Sequence, residues 1–297
     1  MTLTILEFLG GLVILIVGAD LLVRGASKLA AAMGISPLTI GLTIVALGTA
    51  SPEIAVSLQA ASIGQGSLTL GNVLGSNIFN ILFVLGVTAL VAPIVIAEQL
   101  IRLDAPIMVG ASVLAFSLVA NGRLGLLDGL ILLAGVIGYT IFALRQSRKE
   151  SDKVKGEYAR EFADTEEHTA WNTAKNVTFI VVGLGMLILG ARWLVDSATT
   201  MAQAIGVSEL VIGLTVVAVG TSLPEVATSI IAALKGESDI AVGNAVGSNI
   251  YNLLGVLGVS GVLAPGGIEV SSRVLSFDFM VMVFVALVCL PVFYIDD

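Results

Sequence analysis

Apolar runs follow one another along almost the whole chain, separated by short polar turns. Nine can be marked, at roughly 3–23, 37–63, 67–92, 103–120, 126–144, 176–196, 210–234, 239–265 and 274–295. Runs of about 20 residues with few charges are long enough to cross a bilayer as helices. Several exceed what a straight span needs, so tilted or broken helices are expected there. The first run has no basic segment ahead of it and is too long for the apolar stretch of a signal peptide, so it reads as a resident span.

One polar stretch interrupts the pattern. Residues 145–175 hold Arg145, Arg148, Lys149, Lys153, Lys155, Arg160 and Lys175, half of the 14 Lys and Arg in the chain, interleaved with acidic residues. This reads as a charged linker between a first membrane unit, 1–144, and a second, 176–297. Basic residues directly after a span mark its cytoplasmic end. Counting back five spans places the N-terminus outside, and Arg24, Lys28, Arg102 and Lys235 then fall inside, with only Arg123, Arg192 and Arg273 outside.

The two units are copies. Shifted by 172 residues, Gly11 falls on Gly183, Gly18 on Gly190, Gly34 on Gly206 and Pro93 on Pro265, and 41–90 matches 213–262 at 26 of 50 positions without a gap. Apolar composition alone does not align glycine, proline, asparagine and glutamate in one register, so this is an internal duplication. Five spans before the linker send the second copy in from the opposite side, giving inverted-topology repeats with a site expected near the midplane. The second unit shows four spans. The counterpart of 126–144 is expected beyond position 297, which makes nine helices present of an expected ten.

The densest matches carry the chemistry. GLTIVALGTASPE (41–53) pairs with GLTVVAVGTSLPE (213–225), and GNVLGSNIFN (71–80) with GNAVGSNIYN (243–252). Glu53 and Glu225 are carboxylates inside apolar spans, which is costly and favours a polar cavity or bundle interior. Neither repeat offers a cation in its own core as a structural partner. Pro52 and Pro224 lack an N–H and break the helical ladder, so carbonyls near Ala46–Thr49 and Ala218–Thr221 are expected to turn toward a ligand. Ser76 and Asn80, like Ser248 and Asn252, share a helix face, which Asn72 and Asn244 extend. Asn77 and Asn249 point elsewhere and hold neighbouring helices together. The glycines of these motifs let helices pack closely.

Composition narrows the ligand. The chain is 57% hydrophobic and 12% charged, too apolar for a soluble domain of 297 residues. Carboxylate, amide, hydroxyl and carbonyl oxygens suit calcium or sodium. Cys289 lies in the last span and His168 in the linker, where a solvated surface role fits, so zinc, copper and iron are poor candidates. Two carboxylates balance one divalent ion, two sodium ions or two protons, and competition for one set of charges is a direct route to exchange. No nucleotide-binding motif appears, so an ATP-driven pump is not expected.

At these residues the chain resembles the cation/calcium exchanger superfamily, in its sodium/calcium exchanger branch of prokaryotic type. The resemblance runs over essentially the whole chain and rests on the paired G-T-[AS]-x-P-E and G-N-x-x-G-S-N-I-x-N motifs. It implies an all-α membrane fold of ten helices, alternating access, and calcium exchanged for sodium. Carried over by motif position, Glu53 and Glu225 become the central calcium ligands, with oxygens from Thr49 and Thr221. The carbonyls of Ala46 and Ala218, with Ser76, Ser222 and Ser248, would complete flanking sodium sites, and Asn80 and Asn252 would line the middle site. The first and sixth spans would move against a fixed core, 37–92 and 210–265. Two positions depart from the family pattern: Asn252 stands where an acidic residue is usual, and Ala50 where a serine is. The expected partners are calcium, sodium or protons, and the lipid bilayer. No cofactor, enzymatic reaction or nucleic acid is expected. A proton-coupled exchanger of calcium or another divalent cation is the alternative, ahead of a channel or a membrane scaffold.

Overall fold

The computed structural model describes residues 2–94, 96–162, 170–207, 216 and 218–295. These are almost wholly helical: α1 Thr2–Met33, α2 Pro37–Thr49, α3 Ser51–Ser62, α4 Gly66–Val91, α5 Leu100–Val119, α6 Leu126–Phe162, α7 Ala170–Ala204, α8 Ala218–Thr221, α9 Leu223–Leu234, α10 Ser238–Leu263 and α11 Val274–Phe293. Among the described residues, seven helices are long and apolar enough to cross a bilayer, or eight with α2 and α3 taken as one bent span. The span read at 210–234 lies partly outside the described residues; α8 and α9 are its described remainder. The charged linker is more helical than its composition suggests. α6 runs on to Phe162 and α7 begins at Ala170. Lys, Arg and Glu are good helix formers, so a high charge content is compatible with a continued helix. His168 lies outside the described residues.

Short contacts between turns sort the two faces of the bundle. The Ser36 N–H, after α1, donates to Ser147 Oγ at the end of the α6 span (2.9 Å). Lys235, after α9, pairs with Asp20 of α1 (2.5 Å). On the other face, β1 (Arg123–Leu124) pairs antiparallel with β2 (Ile268–Glu269), Arg123 opposite Glu269 and Leu124 opposite Ile268. Gly66, opening α4, lies against the Ile268 side chain. Turns that touch must lie on one side, so an even number of crossings separates them. Four crossings between Ser36 and Ser147, and four between Arg123 and Ile268, satisfy this.

The duplication persists in the backbone. The turns after α3 and α9 close in the same way: Gln65 N–H reaches Ala60 O (2.8 Å) and Glu237 N–H reaches Ala232 O (2.9 Å). Gly64 and Gly236 sit between them with φ of 76° and 78°, the left-handed conformation that glycine adopts without a Cβ penalty. The helix breaks also coincide, with Ala50 at φ −71°, ψ 4° and Ser222 at φ −91°, ψ 7°.

Two apolar cores form. One joins α2 and α4–α6 with α10 and α11, and the other joins α1 and α7 to α2, α9 and α10. The α1–α7 contact is set by glycines seven residues apart. A Cβ on Gly18 would lie 2.9 Å from both the Gly183 carbonyl and the Leu187 nitrogen, and one on Gly11 would lie 3.0 Å from the Gly190 carbonyl. Backbone atoms cannot move aside as a side chain can. Gly18→Ala is therefore expected to cost about 1–3 kcal/mol, as overpacking of a close interface does. A lowered unfolding temperature in detergent checks this, and unchanged stability would mean the two helices can separate freely.

Candidate ion-binding site

The site forms where the helix breaks of the two repeats meet. Pro52 has no N–H to return to Gly48, nor has Pro224 one for Gly220. Each helix stops, bends and restarts; α2 and α3 meet at 47°. The restart places Glu53 and Glu225 in the first turn of α3 and α9. There, unsatisfied backbone N–H groups and the helix dipole favour a carboxylate. Each carboxylate accepts from its own backbone N–H. Both residues are fully buried. Among the described residues neither forms an ion pair; the three there are Asp20–Arg24, Asp20–Lys235 and Glu98–Arg102.

Hydroxyls from both repeats converge on these carboxylates. Ser222 Oγ, in the second repeat, donates to Glu53 Oε1 at 2.9 Å, and Ser76 Oγ approaches the same oxygen at 3.5 Å. Ser222 Oγ also lies 3.4 Å from Ser76 Oγ. The Thr221 hydroxyl stands beside Glu53, and that of Thr49 beside Glu225. Ser248 Oγ lies 3.5 Å from Glu225 Oε1 and 3.4 Å from the Ala46 carbonyl. The two carboxylates are close enough to repel one another. The repeats differ at one hydroxyl: Ala50, where Ser222 has its mate, gives Glu225 no counterpart of the 2.9 Å bond.

The remaining capacity is the informative part. Glu53 Oε2, Glu225 Oε2, Asn80 Oδ1 and Asn252 Oδ1 are all buried and have no hydrogen-bond partner among the described residues. These are four acceptor oxygens at two pairs of repeat-related positions. Asn80 and Asn252 stand one helical turn beyond Ser76 and Ser248, the serines that touch the carboxylates. Wide turns of the π type begin at Asn80 in α4 and at Tyr251 in α10, a distortion frequent at functional sites. Other buried polar atoms, Gln99 Oε1 and Asn176 Oδ1 among them, are also open, but these four stand in repeat-related pairs at the two buried glutamates, an arrangement of acceptors that a cation would satisfy. Among the described residues no cluster of three or more His, Cys, Asp or Glu occurs, so neutral oxygens must supply most of any ligand shell.

A contrast comes from Asp104, the third fully buried carboxylate among the described residues. Gln99 Nε2 donates to its Oδ2 (3.1 Å) and Tyr139 OH to its Oδ1 (3.2 Å), so both oxygens are engaged. Its repeat position is Ser276, so the arrangement is not duplicated. The sequence reading did not single it out, because nothing in the repeat marks it.

The other expected site residues divide. Thr49 and Thr221 stand at the helix breaks, and Thr49 Oγ1 is held by Asn244 Oδ1 (2.9 Å). The Ala46 carbonyl is not freed by the break. It accepts the Ala50 N–H (3.0 Å) and lies 3.3 Å from Thr49 Oγ1. Only Pro52, two residues later, withholds a backbone donor. Ala218 opens α8. Asn72 and Asn244 brace the break rather than line it. Asn72 Nδ2 donates to the Glu53 carbonyl (3.2 Å) and Ser57 Oγ (2.9 Å), and Asn244 Nδ2 to the Glu225 carbonyl (3.4 Å) and Ser229 Oγ (3.1 Å).

The family profile of the sodium/calcium exchanger proteins matches residues 3–145 and 175–296. The chain belongs to the sodium/calcium exchanger family. It is 34% identical over 321 aligned positions to the sodium/calcium exchanger MaX1 of Methanosarcina acetivorans, covering 97% of this chain and 91% of that protein. It is 38% identical over 281 positions to the inner membrane protein YrbG of Escherichia coli, covering 94% of this chain and 85% of the relative. A solved structure of the sodium–calcium exchanger NCX_Mj, soaked with sodium and calcium, superposes with a TM-score of 0.80 at 26% identity, over 99% of this chain and 97% of that one. The fold is thus the all-α, inverted-repeat transporter fold, and this exchanger-family chain is a multi-span membrane protein.

Proposed function

We propose that this exchanger is a secondary active antiporter that moves calcium against sodium at a midplane site built from Glu53, Glu225, Asn80 and Asn252. The four buried acceptor oxygens without partners carry this reading. Two carboxylates match the charge of one calcium ion, and the amide oxygens and nearby hydroxyls of Thr49, Thr221, Ser76, Ser222 and Ser248 bring the donor number toward the six to eight that calcium takes. With sodium in place of calcium, the same carboxylates are balanced by two ions, the serine hydroxyls and the Ala46 and Ala218 carbonyls serving as flanking ligands. At Ala46, sodium binding requires the Thr49 and Ser248 hydroxyls to turn away. An empty site leaves two carboxylates uncompensated in the bundle interior, which disfavours crossing without cargo.

Alternating access then takes the form of α1 and α7 moving together against the rest. Their glycine contact makes them one unit, and the separate core beneath them is the surface over which they slide. The face carrying Arg24, Lys28, Arg102, Arg145 and Lys235 is cytoplasmic by the positive-inside rule, which puts the N-terminus outside and the linker inside. The inner cell membrane is the fitting location, as for the relative YrbG.

A second reading, proton-coupled exchange of calcium or another divalent cation, is favoured by Ala50. That residue removes one hydroxyl from the sodium ligand set while leaving two carboxylates able to take two protons. Calcium-45 uptake into proteoliposomes separates the readings. Uptake is expected to require sodium inside the vesicles at matched pH. Uptake driven equally by a pH gradient without sodium would transfer the protein to the proton-coupled class. No uptake under either gradient would reject calcium antiport.

A further inference from the structure

We infer that Asn77 and Asn249 are positioning residues, each holding the other repeat's site amide so that its carbonyl oxygen is turned toward the cation. This rests on the ion-site reading above and extends it to two residues that no ligand would touch.

The hydrogen bonds cross between repeats. Asn80 Nδ2 donates to Asn249 Oδ1 at 3.1 Å, and Asn252 Nδ2 donates to Asn77 Oδ1 at 3.3 Å. Asn80 and Asn252 are repeat mates, as are Asn77 and Asn249, so this is one interaction made twice. The direction of the first bond follows from its surroundings. Asn249 also faces the main-chain carbonyl of Asn77 at 3.2 Å, which can only accept, so Asn249 must present its Nδ2 there. The same amide nitrogen reaches Met108 Sδ at 3.6 Å. Asn249 Oδ1 is thereby left facing Asn80, and Asn80 must answer with Nδ2. Its Oδ1 is then the end left open, as found. In the second arm Asn252 Nδ2 meets Asn77 Oδ1 and Asn252 Oδ1 is again open, while the Asn77 amide carries no second bond of its own, so the direction is anchored in the first arm alone.

An asparagine side chain free to flip would present oxygen or nitrogen to the cation with little preference. A donor aimed at a cation repels it. Fixing the amide by its nitrogen removes the wrong orientation before the ion arrives, the same service that outer hydrogen bonds perform for metal ligands elsewhere. Asn77 Nδ2 has no partner among the described residues, so its amide contributes one bond, the acceptance from Asn252. Each repeat thus completes the other's ligand, which ties ion affinity to correct seating of α4 against α10.

The test is a double-mutant cycle on purified protein, read as the calcium concentration giving half-maximal thermal stabilisation in detergent. Asn77→Leu is expected to raise that concentration about ten- to a hundredfold, the usual loss when an outer partner of a metal ligand is removed. Unfolding temperature without calcium should stay near that of the wild type, because the change also removes an unpaired buried nitrogen. Added to Asn252→Ala, Asn77→Leu should do little more, since it acts only through that amide. Asn249→Leu with Asn80→Ala forms the second cycle. If Asn249→Leu does not fold, because its main-chain bond to Asn77 is lost, the first cycle decides alone. Wild-type affinity in Asn77→Leu, additive losses in the cycle, or a calcium-free destabilisation that accounts for the whole effect would each overturn the positioning role. Glu53→Gln separates this inference from the one beneath it. If that variant also keeps calcium affinity, the site itself is wrong; if it loses binding while Asn77→Leu does not, only the positioning role fails.

Discussion

Glu53→Gln, and equally Glu225→Gln, is expected to abolish calcium uptake into proteoliposomes. The substitution keeps the shape of the side chain, and Ser222 can still donate to the remaining carbonyl oxygen. What changes is the second oxygen. Glu53 Oε2 is buried and without a partner among the described residues, and glutamine puts an NH2 group there. A ligand oxygen becomes a donor facing the cation, and the pair of charges that balanced calcium becomes one. Removing one partner from a buried charge arrangement costs about 3–5 kcal/mol, so affinity should fall by about two to four orders of magnitude. Because neither glutamate is engaged in an ion pair among the described residues, the fold loses little. The calcium-free protein should unfold at or above the wild-type temperature, since a buried carboxylate without a counter-charge has been removed. Near-normal uptake in either variant would show that calcium binds elsewhere.

The features that mark these two residues were legible in the chain because they are expensive. A glutamate after a proline in an apolar run is a rare event, and its recurrence 172 positions later leaves no room for accident. The same register exposed the duplication, and inverted topology followed from an odd number of spans. Hydrogen-bond direction was not legible. GNVLGSNIFN presents three asparagines, and helix spacing puts Asn72 and Asn80 on the face of Ser76. Spacing does not say which of them meets a ligand and which meets backbone. Asn72 and Asn244 turned out to hold the main chain of the preceding half-helix in their own repeat. Asn77 and Asn249, read as adhesion between helices, accept hydrogen bonds from Asn252 and Asn80 across the repeat boundary. That role depends on a contact between positions 169 or 175 residues apart, which no local pattern encodes. The helix breaks show the same limit. Proline announced them correctly, yet the carbonyl that loses its donor to Pro52 is that of Gly48, two residues beyond Ala46, whose carbonyl stays bonded. The extension of α6 to Phe162 was obscured because high charge reads as solvation, although the same residues favour a helix.

Asn252→Asp is expected to change which ions the exchanger counts. The substitution adds a third carboxylate to a proposed site that now holds two. The fold can accept it. Asn252 currently donates to Asn77 Oδ1, a bond that an aspartate cannot make, but Asn77 has an unpartnered Nδ2 at its other end. Rotating the Asn77 amide by half a turn replaces the lost bond with a charge-assisted one. One added negative charge then has to be matched. Calcium alone leaves it unbalanced, so calcium affinity should rise, as ligand charge tunes calcium sites generally. In the sodium-loaded state the site should take up about one more monovalent cation, following the same charge count. The dependence of calcium uptake on internal sodium should therefore steepen, and an imposed membrane potential should act on the variant more strongly than on the wild type, because each turnover moves a different net charge. Initial rates across a sodium series, with and without a potassium diffusion potential, measure both effects. Unchanged sodium, calcium and voltage dependence would place Asn252 outside the site. A gain in pH sensitivity without a change in sodium dependence would mean that a proton, rather than sodium, answers the added charge, and would carry the proton-coupled reading to the wild-type pair as well.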